Sequence, residues 1–242
     1  MNQPIDDFRK AAHQIVDWIA GYLEDPRKYP VLPPVAPGDL MRRLPASAPD
    51  QGEPIEAILD DFYKLVLPAV THWNHPRFMA YFPSSGSPPG VLAEMLAAAL
   101  NTNAIVWKSN PAGTELESVT LGWLRQWLGL PDQFFGLTYD TASTGAVHAL
   151  AAAREMADPE VREKGAQRGL TLYASEHAHS SIEKGAIALG IGRENVRKIP
   201  ADAEMRLRPD LLVEAIEADR RAGKKPFCVV ATVGTTSFTS VD

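Results

Sequence analysis

The sequence lacks most of the features that mark secreted, membrane-spanning or nucleic-acid-binding proteins. Its 242 residues include one cysteine, Cys228, so no disulfide can form within the chain. Acidic residues outnumber basic ones, 30 against 24, and no basic stripe is present to bind nucleic-acid phosphates. The longest apolar run, Pro88 to Leu100, contains Glu94 and is too short to span a bilayer. The first residues carry no apolar core behind a basic start, so no signal peptide is predicted. We therefore expect a cytoplasmic protein without a membrane or nucleic-acid partner.

Proline divides the first part of the chain. Residues 5–23 and 55–70 carry apolar side chains at helical spacing, and helices are also predicted at 91–100 and 114–128. Between the first two, prolines stand at positions 26, 30, 33, 34, 37, 45, 49 and 54 and exclude regular helix. So long an extended segment is unusual as a loop within a compact domain. We interpret it as an arm that lies along another surface.

After Leu130 the sequence alternates between predicted strands and helices. They follow one another at strand 133–139, helix 146–156, strand 170–174, helix 180–189, strand 196–199, helix 210–221 and strand 227–232. This alternation is typical of an α/β protein with a mainly parallel sheet. The last strand, FCVVAT, is continuously apolar and is expected to be buried on both faces. The chain stops where a loop should lead to the next helix, so we expect it to be incomplete at its C-terminus.

The segment from Thr141 to Gly145 lies between a predicted strand and an alanine-rich helix. A helix N-terminus presents unpaired N–H groups and a positive dipole end, and small hydroxyl residues let an anion approach. A phosphate group is one interpretation, and simple helix capping by Thr141 or Ser143 is the other. The segment has no G-K-[ST], so it is not a P-loop, and no G-x-S-x-G, which argues against a nucleophilic Ser143.

Two further loops with polar side chains follow predicted strands. His177 and His179 form an H-x-H pair, for which a metal, a stacked ligand or a helix-start loop are the alternatives, and no third metal ligand has suitable spacing. Gly234-Thr235-Thr236 follows the last strand and, taken alone, is consistent with a plain turn. Because three such loops come at one edge of a parallel sheet, they predict a polar pocket for a small anionic ligand.

An aromatic cluster at residues 78–85, near Trp73, precedes a flexible turn. It could line a pocket for an aromatic side chain or form ordinary core, and the pattern alone favours core.

Six separated motifs occur in a distinctive order: Thr71-His72-Trp73, Ala80-Tyr81-Phe82-Pro83, residues 109–117 (SNPAGTELE), Thr141-Ala142-Ser143, Ala178-His179-Ser180-Ser181 and residues 231–236 (ATVGTT). In these motifs the chain resembles the group II decarboxylases that depend on pyridoxal 5′-phosphate (PLP), most closely the aromatic-L-amino-acid decarboxylases. The resemblance implies a homodimer of fold type I, a three-layer α/β/α structure behind an N-terminal helical segment. Residues 1–85 would form a helical and proline-rich dimerisation segment, and residues 86–242 an incomplete PLP-binding domain.

The resemblance also assigns roles to individual residues, and none of them is a metal ligand. Ser143 and the backbone of Ala142 would hold the PLP phosphate, and His179 would stack on the ring and act on the substrate. Thr236 and Asp242 would bind the cofactor. Two sets of residues would contact the aromatic substrate, the second of them from the partner subunit: Trp73, Tyr81, Phe82, Pro83 and Ser84, and Asn103 and Ile105. Relatives often carry a more hydrophobic residue at the position of Asn103, which leaves the exact substrate open.

Three elements of the family pattern are missing from the sequence. It has no Asn-Pro-His-Lys motif with the lysine that binds PLP covalently, no His-Val-Asp-Ala-Ala motif with the aspartate that pairs with the pyridine nitrogen, and no mobile loop with its tyrosine. The resemblance implies that the intact protein converts aromatic L-amino acids to the amine and CO₂. Because these elements are missing, we expect the 242-residue chain alone to be inactive. The alternatives are an aromatic acetaldehyde synthase of the same family and a non-catalytic fragment that only dimerises or binds.

Overall fold

The computed structural model describes residues 4–81, 84–166 and 169–242. They form two compact units, one extending to Asn101 and the other beginning at Thr102. Within the described part of the chain, none of the helices is both long and apolar enough to cross a membrane. The assignment of dimerisation to residues 1–85 and of PLP binding to residues 86–242 stays a prediction.

The first unit is helical. It contains α1 (Ile5–Glu24), α2 (Asp39–Arg43), α3 (Ile55–Asp61) and α4 (Pro88–Leu100), with a 3-10 turn at Pro26–Lys28. Helix α1 ends at Glu24 because Pro26 follows, and Asp25 then accepts the N–H of Arg27 at 3.3 Å. Helix α4 is preceded by the N-cap Ser87, whose hydroxyl accepts the N–H of Gly90, and is followed by the C-cap Asn101, which adopts a left-handed conformation.

The helix predicted over residues 55–70 is only partly regular. Helix α3 passes into a π-helical turn at Phe62–Val66 and a 3-10 turn at Leu67–Ala69. Pro68 has no N–H to donate to the carbonyl of Lys64, four residues earlier. The guanidinium of Arg43 donates to that carbonyl instead, at 3.1 Å. The proline therefore changes the helix type, and the proline-rich segment supplies the missing donor.

The expectation that residues 26–54 contain no regular helix is wrong at one place. Helix α2 fits in the proline-free window between Pro37 and Pro45, directly after Gly38 with φ +88°. The carboxylate of Asp39 accepts the N–H of Ala36 at 2.7 Å and fixes the entry into the helix. A short helix can form where the spacing between prolines leaves enough residues for it, even when the segment contains many prolines.

A buried histidine ties the proline-rich segment to α1. His72 is 2% exposed, its Nδ1 lies 3.0 Å from the hydroxyl of Tyr22, and its ring stacks on Tyr29 with centroids 4.7 Å apart. Its backbone N–H donates to the carbonyl of Val31. Burial lowers the pKa of His72, with a smaller contribution from His75, and thus favours the neutral ring between its two aromatic neighbours.

The second unit is the predicted α/β structure. Its helices are α5 (Pro111–Trp127), α6 (Ala142–Ala157), α7 (Val161–Lys164), α8 (Ser181–Ala188) and α9 (Pro209–Arg221), with 3-10 turns at Trp107–Ser109 and Arg193–Asn195. The strands β1 (Leu170–Ser175), β2 (Val196–Ile199) and β3 (Lys225–Val230) are parallel, in the order β2-β1-β3. The parallel α/β prediction is confirmed.

The central strand β1 separates two helical layers. All six of its residues are buried. Leu172 packs on one face against Leu150 of α6 and Ala186 of α8, whereas Tyr173 packs on the other face, where α9 lies, with Ile199. Alternate residues of a strand point to opposite faces, so one strand serves both cores. The three-layer arrangement follows from this alternation.

Two strand predictions need correction. Residues 133–139 form no strand in the described structure, and the N–H of Thr138 donates to the carboxylate of Glu117 at 2.7 Å and not to a neighbouring strand. A strand requires a partner strand, and the described residues provide none there. Strand β3 is not buried on both faces, since it lies at the edge of the described sheet and Val229 is 47% exposed.

Candidate active site

The N-terminus of α6 is capped by Thr141. Its hydroxyl accepts the N–H of Thr144 at 3.2 Å, which assigns capping to Thr141 and not to Ser143. Ala142 and Ser143 are the first two helical residues, and both are exposed. The first turn thus presents backbone N–H groups and one exposed hydroxyl at the positive end of a 16-residue helix. This donor set suits an anion.

A close contact explains the glycine in the same turn. A Cβ at Gly145 would lie 3.3 Å from the ring of Tyr139, which itself packs against His148 with centroids 4.8 Å apart. A side chain at Gly145 would push this ring away. The glycine therefore lets the segment before α6 fold tightly over its first turn.

The loop after β1 carries His177 and His179 and is fixed on two sides. The N–H of Glu176 donates to the carbonyl of Ile199 at 2.9 Å, which joins it to the end of β2. The ring of His177 meets Phe238, from the loop after β3, edge to face at 4.7 Å. His179 is exposed. The two imidazoles have different partners, and the described residues contain no cluster of three or more potential metal ligands.

The loop after β3 folds back on itself. Thr235 is fully buried, its N–H donates to the carbonyl of Ser240, and the two hydroxyls lie 2.8 Å apart. Thr236 is exposed. The carboxylate of Asp242 accepts the N–H of Thr232 at 3.1 Å and the N–H of Leu207 at 3.0 Å. Both oxygens of Asp242 therefore bind backbone, which fixes the base of the loop that carries Thr236.

A cavity of about 270 Å³ lies beside β1, and its lining includes Ser175, His179 and Ser180. Glu183 also lines this cavity and is paired with Arg193 and Lys198 at 2.8 Å each. The hydrogen bond from Lys198 is the main reason that the pKa of Glu183 lies below its ordinary value. These charges stay paired next to the histidine.

Of the described residues, neither Ser143 nor Thr236 lines this cavity.

The aromatic cluster lies in the first unit and is partly layered. Trp73 stacks on Phe78 and on Tyr81, with ring centroids 4.6 and 5.8 Å away. Phe78 is buried, which suits the core interpretation, whereas Tyr81 is 73% exposed and has a φ of +59°. Ser84 is exposed. Phe82 and Pro83, also predicted to contact substrate, lie outside the described residues.

Asn103 and Ile105 lie at the start of the second unit. The side-chain oxygen of Asn103 accepts the N–H of Ile105 at 2.9 Å, and its carbonyl accepts the hydroxyl of Ser109 at 2.7 Å. Ile105 is 80% exposed. Asn103 thus shapes the turn that presents the isoleucine.

Sequence reasoning missed three residues that shape these loops. Thr235 is buried beneath the loop after β3, Phe238 packs on His177, and Ser181 contacts the imidazole of His179. Thr235 and Ser181 lie within the motifs quoted above, but nothing in those motifs distinguishes them from their neighbours. Their roles come from contacts between loops that are distant in sequence.

A parallel sheet between two helical layers, with polar loops after successive strands, defines part of an α/β domain of fold type I. Residues 37–242 match the family described as "Pyridoxal-dependent decarboxylase conserved domain". The chain belongs to this family, whose cofactor is PLP.

Three similar proteins illustrate the range of the family. Aromatic-L-amino-acid decarboxylase of Bos taurus is 41% identical over 98% of this chain and 51% of its own length. Phenylacetaldehyde synthase of Arabidopsis thaliana is also 41% identical, over 99% of this chain and 51% of its own. The crystal structure of Oryza sativa TDC with PLP and tryptamine matches with a TM-score of 0.92 and 36% identity, over 100% of this chain and 52% of that one. The chain spans about half the length of the curated relatives it matches.

Proposed function

We propose that the intact protein removes the carboxyl group of aromatic L-amino acids and releases the amine and CO₂, with PLP as cofactor. The observation that carries the proposal is the exposed His179 on a loop held by the end of β2 and by the loop after β3. Such a loop fixes a side chain at the carboxyl edge of a parallel sheet, where α/β proteins bind their ligands.

The residues present fit a phosphorylated cofactor. The first turn of α6 offers its N–H groups and the exposed hydroxyl of Ser143 to a phosphate, while Thr141 holds the cap. Thr236 offers a second exposed hydroxyl. Asp242 would act at this site by holding the loop that carries Thr236, because both of its oxygens accept backbone N–H groups. When bound, the cofactor supplies the electron sink for loss of CO₂.

The protein's own residues would orient the substrate. His179 would stack on the cofactor ring and position the substrate carboxylate. In the first unit, Trp73, Tyr81 and Ser84 would contact the aromatic side chain, and the exposure of Tyr81 leaves its ring available. Ile105, held outward by Asn103, would reach the site of a partner subunit.

Cofactor binding tests the first part of this proposal. The chain is equilibrated with PLP across a dialysis membrane, and the bound fraction is obtained from the absorbance of the free PLP. We expect Ser143→Ala to weaken PLP binding about ten-fold, because one hydrogen bond to a charged group is lost. Ser118→Ala is the matched control, since Ser118 is exposed on α5 and bonds to the carbonyl of Thr114. Equal affinity of the two variants would contradict the phosphate assignment.

Turnover tests the second part. The 242-residue chain has neither the lysine motif nor the aspartate motif of the family, so we expect no CO₂ release from L-dopa, L-tryptophan or L-tyrosine with added PLP. A longer protein that carries both motifs should release CO₂ from the same amino acids. Turnover by the 242-residue chain alone would contradict this expectation.

An aromatic acetaldehyde synthase is the second candidate, because the Arabidopsis thaliana relative of that kind is as similar as the decarboxylase. The two activities differ in their product. Amine production supports the decarboxylase, whereas consumption of O₂ and water with release of aldehyde, CO₂, ammonia and hydrogen peroxide supports the synthase.

We also propose that the protein is a homodimer that buries α1 and α4. An apolar groove of about 490 Å³ runs along these helices and is lined by Val16, Ile19, Leu23, Val91 and Leu92. Ile19→Glu should dissociate the dimer, whereas Gln14→Glu, the same added charge on an exposed position of α1, should not. Sedimentation at matched concentrations measures the difference, and an Ile19→Glu dimer would refute this interface.

A further inference from the structure

Ser181 approaches the imidazole of His179 with two groups. Its hydroxyl oxygen lies 2.9 Å from Nδ1, and its backbone N–H donates to the same nitrogen at 3.3 Å. Ser181 is the first residue of α8, and its N–H is one of those that a helix leaves without an intrahelical acceptor. The histidine side chain therefore accepts a helix N-terminal donor.

This contact determines where the neutral ring carries its proton. A backbone N–H can only donate, so Nδ1 must present its lone pair to Ser181. The single proton of the neutral imidazole is then on Nε2. The hydroxyl of Ser181 donates to Nδ1 as well, which reinforces the same tautomer.

The surrounding loop holds this arrangement in place. The N–H of Ala178 donates to the carbonyl of Ser175, and the N–H of Ile182 donates to the carbonyl of His179. The N–H of His177 donates to the hydroxyl of Ser175 at 3.2 Å. Local hydrogen bonds on both sides of His179 thus restrict the backbone that carries the ring.

Resting on the proposed function, we propose that Ser181 is a positioning residue that keeps the His179 proton on Nε2. His179 then presents an N–H donor at its outward nitrogen, which is the group needed to hold a substrate carboxylate. Ser181 acts through His179 and need not contact substrate or cofactor.

Nitrogen NMR of histidine-labelled protein tests the assignment without cofactor or turnover. The His179 signals are identified by their loss in His179→Gln. We expect a protonated Nε2 and an unprotonated Nδ1 in the neutral ring. In Ser181→Ala the minor tautomer should rise about five-fold, as expected from the loss of one neutral hydrogen bond. Ser181→Thr, which keeps the hydroxyl, should restore the original ratio.

Ser180→Ala is the matched control, because the side chain of Ser180 makes no capping hydrogen bond. It should leave the tautomer ratio unchanged. A proton on Nδ1 in the unmodified protein, or identical ratios in Ser181→Ala and Ser180→Ala, would overturn the proposal. Failure of PLP binding would instead refute the proposed function and leave the tautomer result standing, so the two failures are distinguishable.

Discussion

The sheet of the second unit and the helices of the first differ in how they bury apolar side chains. All six residues of β1 are buried, and Leu172 and Tyr173 are fully enclosed. Among the described helical residues of the first unit, Ala11 is the one that is buried. Leu92 and Leu96 of α4 are 56% and 66% exposed.

This difference shows where each unit obtains its stability. The second unit packs two helical layers on one strand and builds its own core. In the first unit, the apolar face of the amphipathic α1 and the almost wholly apolar α4 lie open, and extended open surfaces of this kind mark interaction sites. We infer that substitutions in the sheet act on folding, whereas substitutions on α1 and α4 act on association.

The largest effect is expected at the centre of the sheet. Leu172→Ala removes a fully buried side chain from a cluster with Leu150 and Ala186. It should lower the free energy of unfolding by about 2 to 5 kcal/mol, through lost burial and the cavity left behind. Urea unfolding followed by circular dichroism measures the change. A loss below about 1 kcal/mol would show that the core tolerates a cavity there.

A buried ion pair on the other face of the sheet should come next. Asp219 binds Arg197 through both oxygens, at 2.7 and 2.8 Å, and accepts the hydroxyl of Tyr173 at 2.8 Å. Asp219→Asn should cost about 2 to 3 kcal/mol, because the partly buried guanidinium loses its counter-charge. Glu217→Gln on the same helix should cost less than about 0.5 kcal/mol, since its pair with Arg221 is largely exposed. Equal costs for the two variants would contradict the importance of burial.

Lowering the pH should affect the two units in sequence. Burial lowers the pKa of His72 from 6.5, so the unfolded chain takes up this proton first and the first unit loses stability as pH falls below that value. The hydrogen bond from Arg197 lowers the pKa of Asp219 from 3.8, so its contribution persists to lower pH and is lost as pH falls through the folded-state pKa. When the free energy of unfolding is plotted against pH, His72→Asn should lack the decrease assigned to His72, and Asp219→Asn should lack the decrease assigned to Asp219. If a substitution leaves the pH dependence of stability unchanged, the decrease was wrongly assigned to that residue.

Much of the second unit could be predicted because its signals are local. Strand 196–199 was predicted at its observed bounds, and the helix predicted at 210–221 is observed as Pro209–Arg221. The period of apolar residues and the position of Pro209 suffice for this. Residues 133–139 failed because a strand depends on a partner that local sequence does not specify.

The site was predictable to a smaller extent. The motifs located the three loops, but the contact of His177 with Phe238 joins residues from different loops, and no spacing rule specifies it. Asp242 was predicted as a cofactor ligand, and that role stays a prediction; its contacts with Thr232 and Leu207 depend on the folded loop. Pairing between loops is a tertiary property, which explains why sequence patterns did not give it.

A smaller effect is expected at the cap of α6. Thr141→Ala removes the acceptor for the N–H of Thr144 and should cost about 1 kcal/mol. Ser143→Ala, two residues later in the same turn, should change stability by less than about 0.5 kcal/mol because Ser143 is exposed and is not the cap. Thermal unfolding of both variants separates capping from ligand binding. A larger loss for Ser143→Ala would reverse the two roles.

The smallest effect is expected on the open face of the first unit. Leu92 is 56% exposed and lines the groove beside α1, so Leu92→Ala removes few contacts from the isolated chain. Its free energy of unfolding should change by less than about 0.5 kcal/mol at concentrations where the chain is monomeric. At higher concentration the same substitution should weaken self-association, because the leucine is then covered by a second copy. A loss of 2 kcal/mol or more in the monomer would mean that α4 is already packed in a core, and the contrast between the two units would fail.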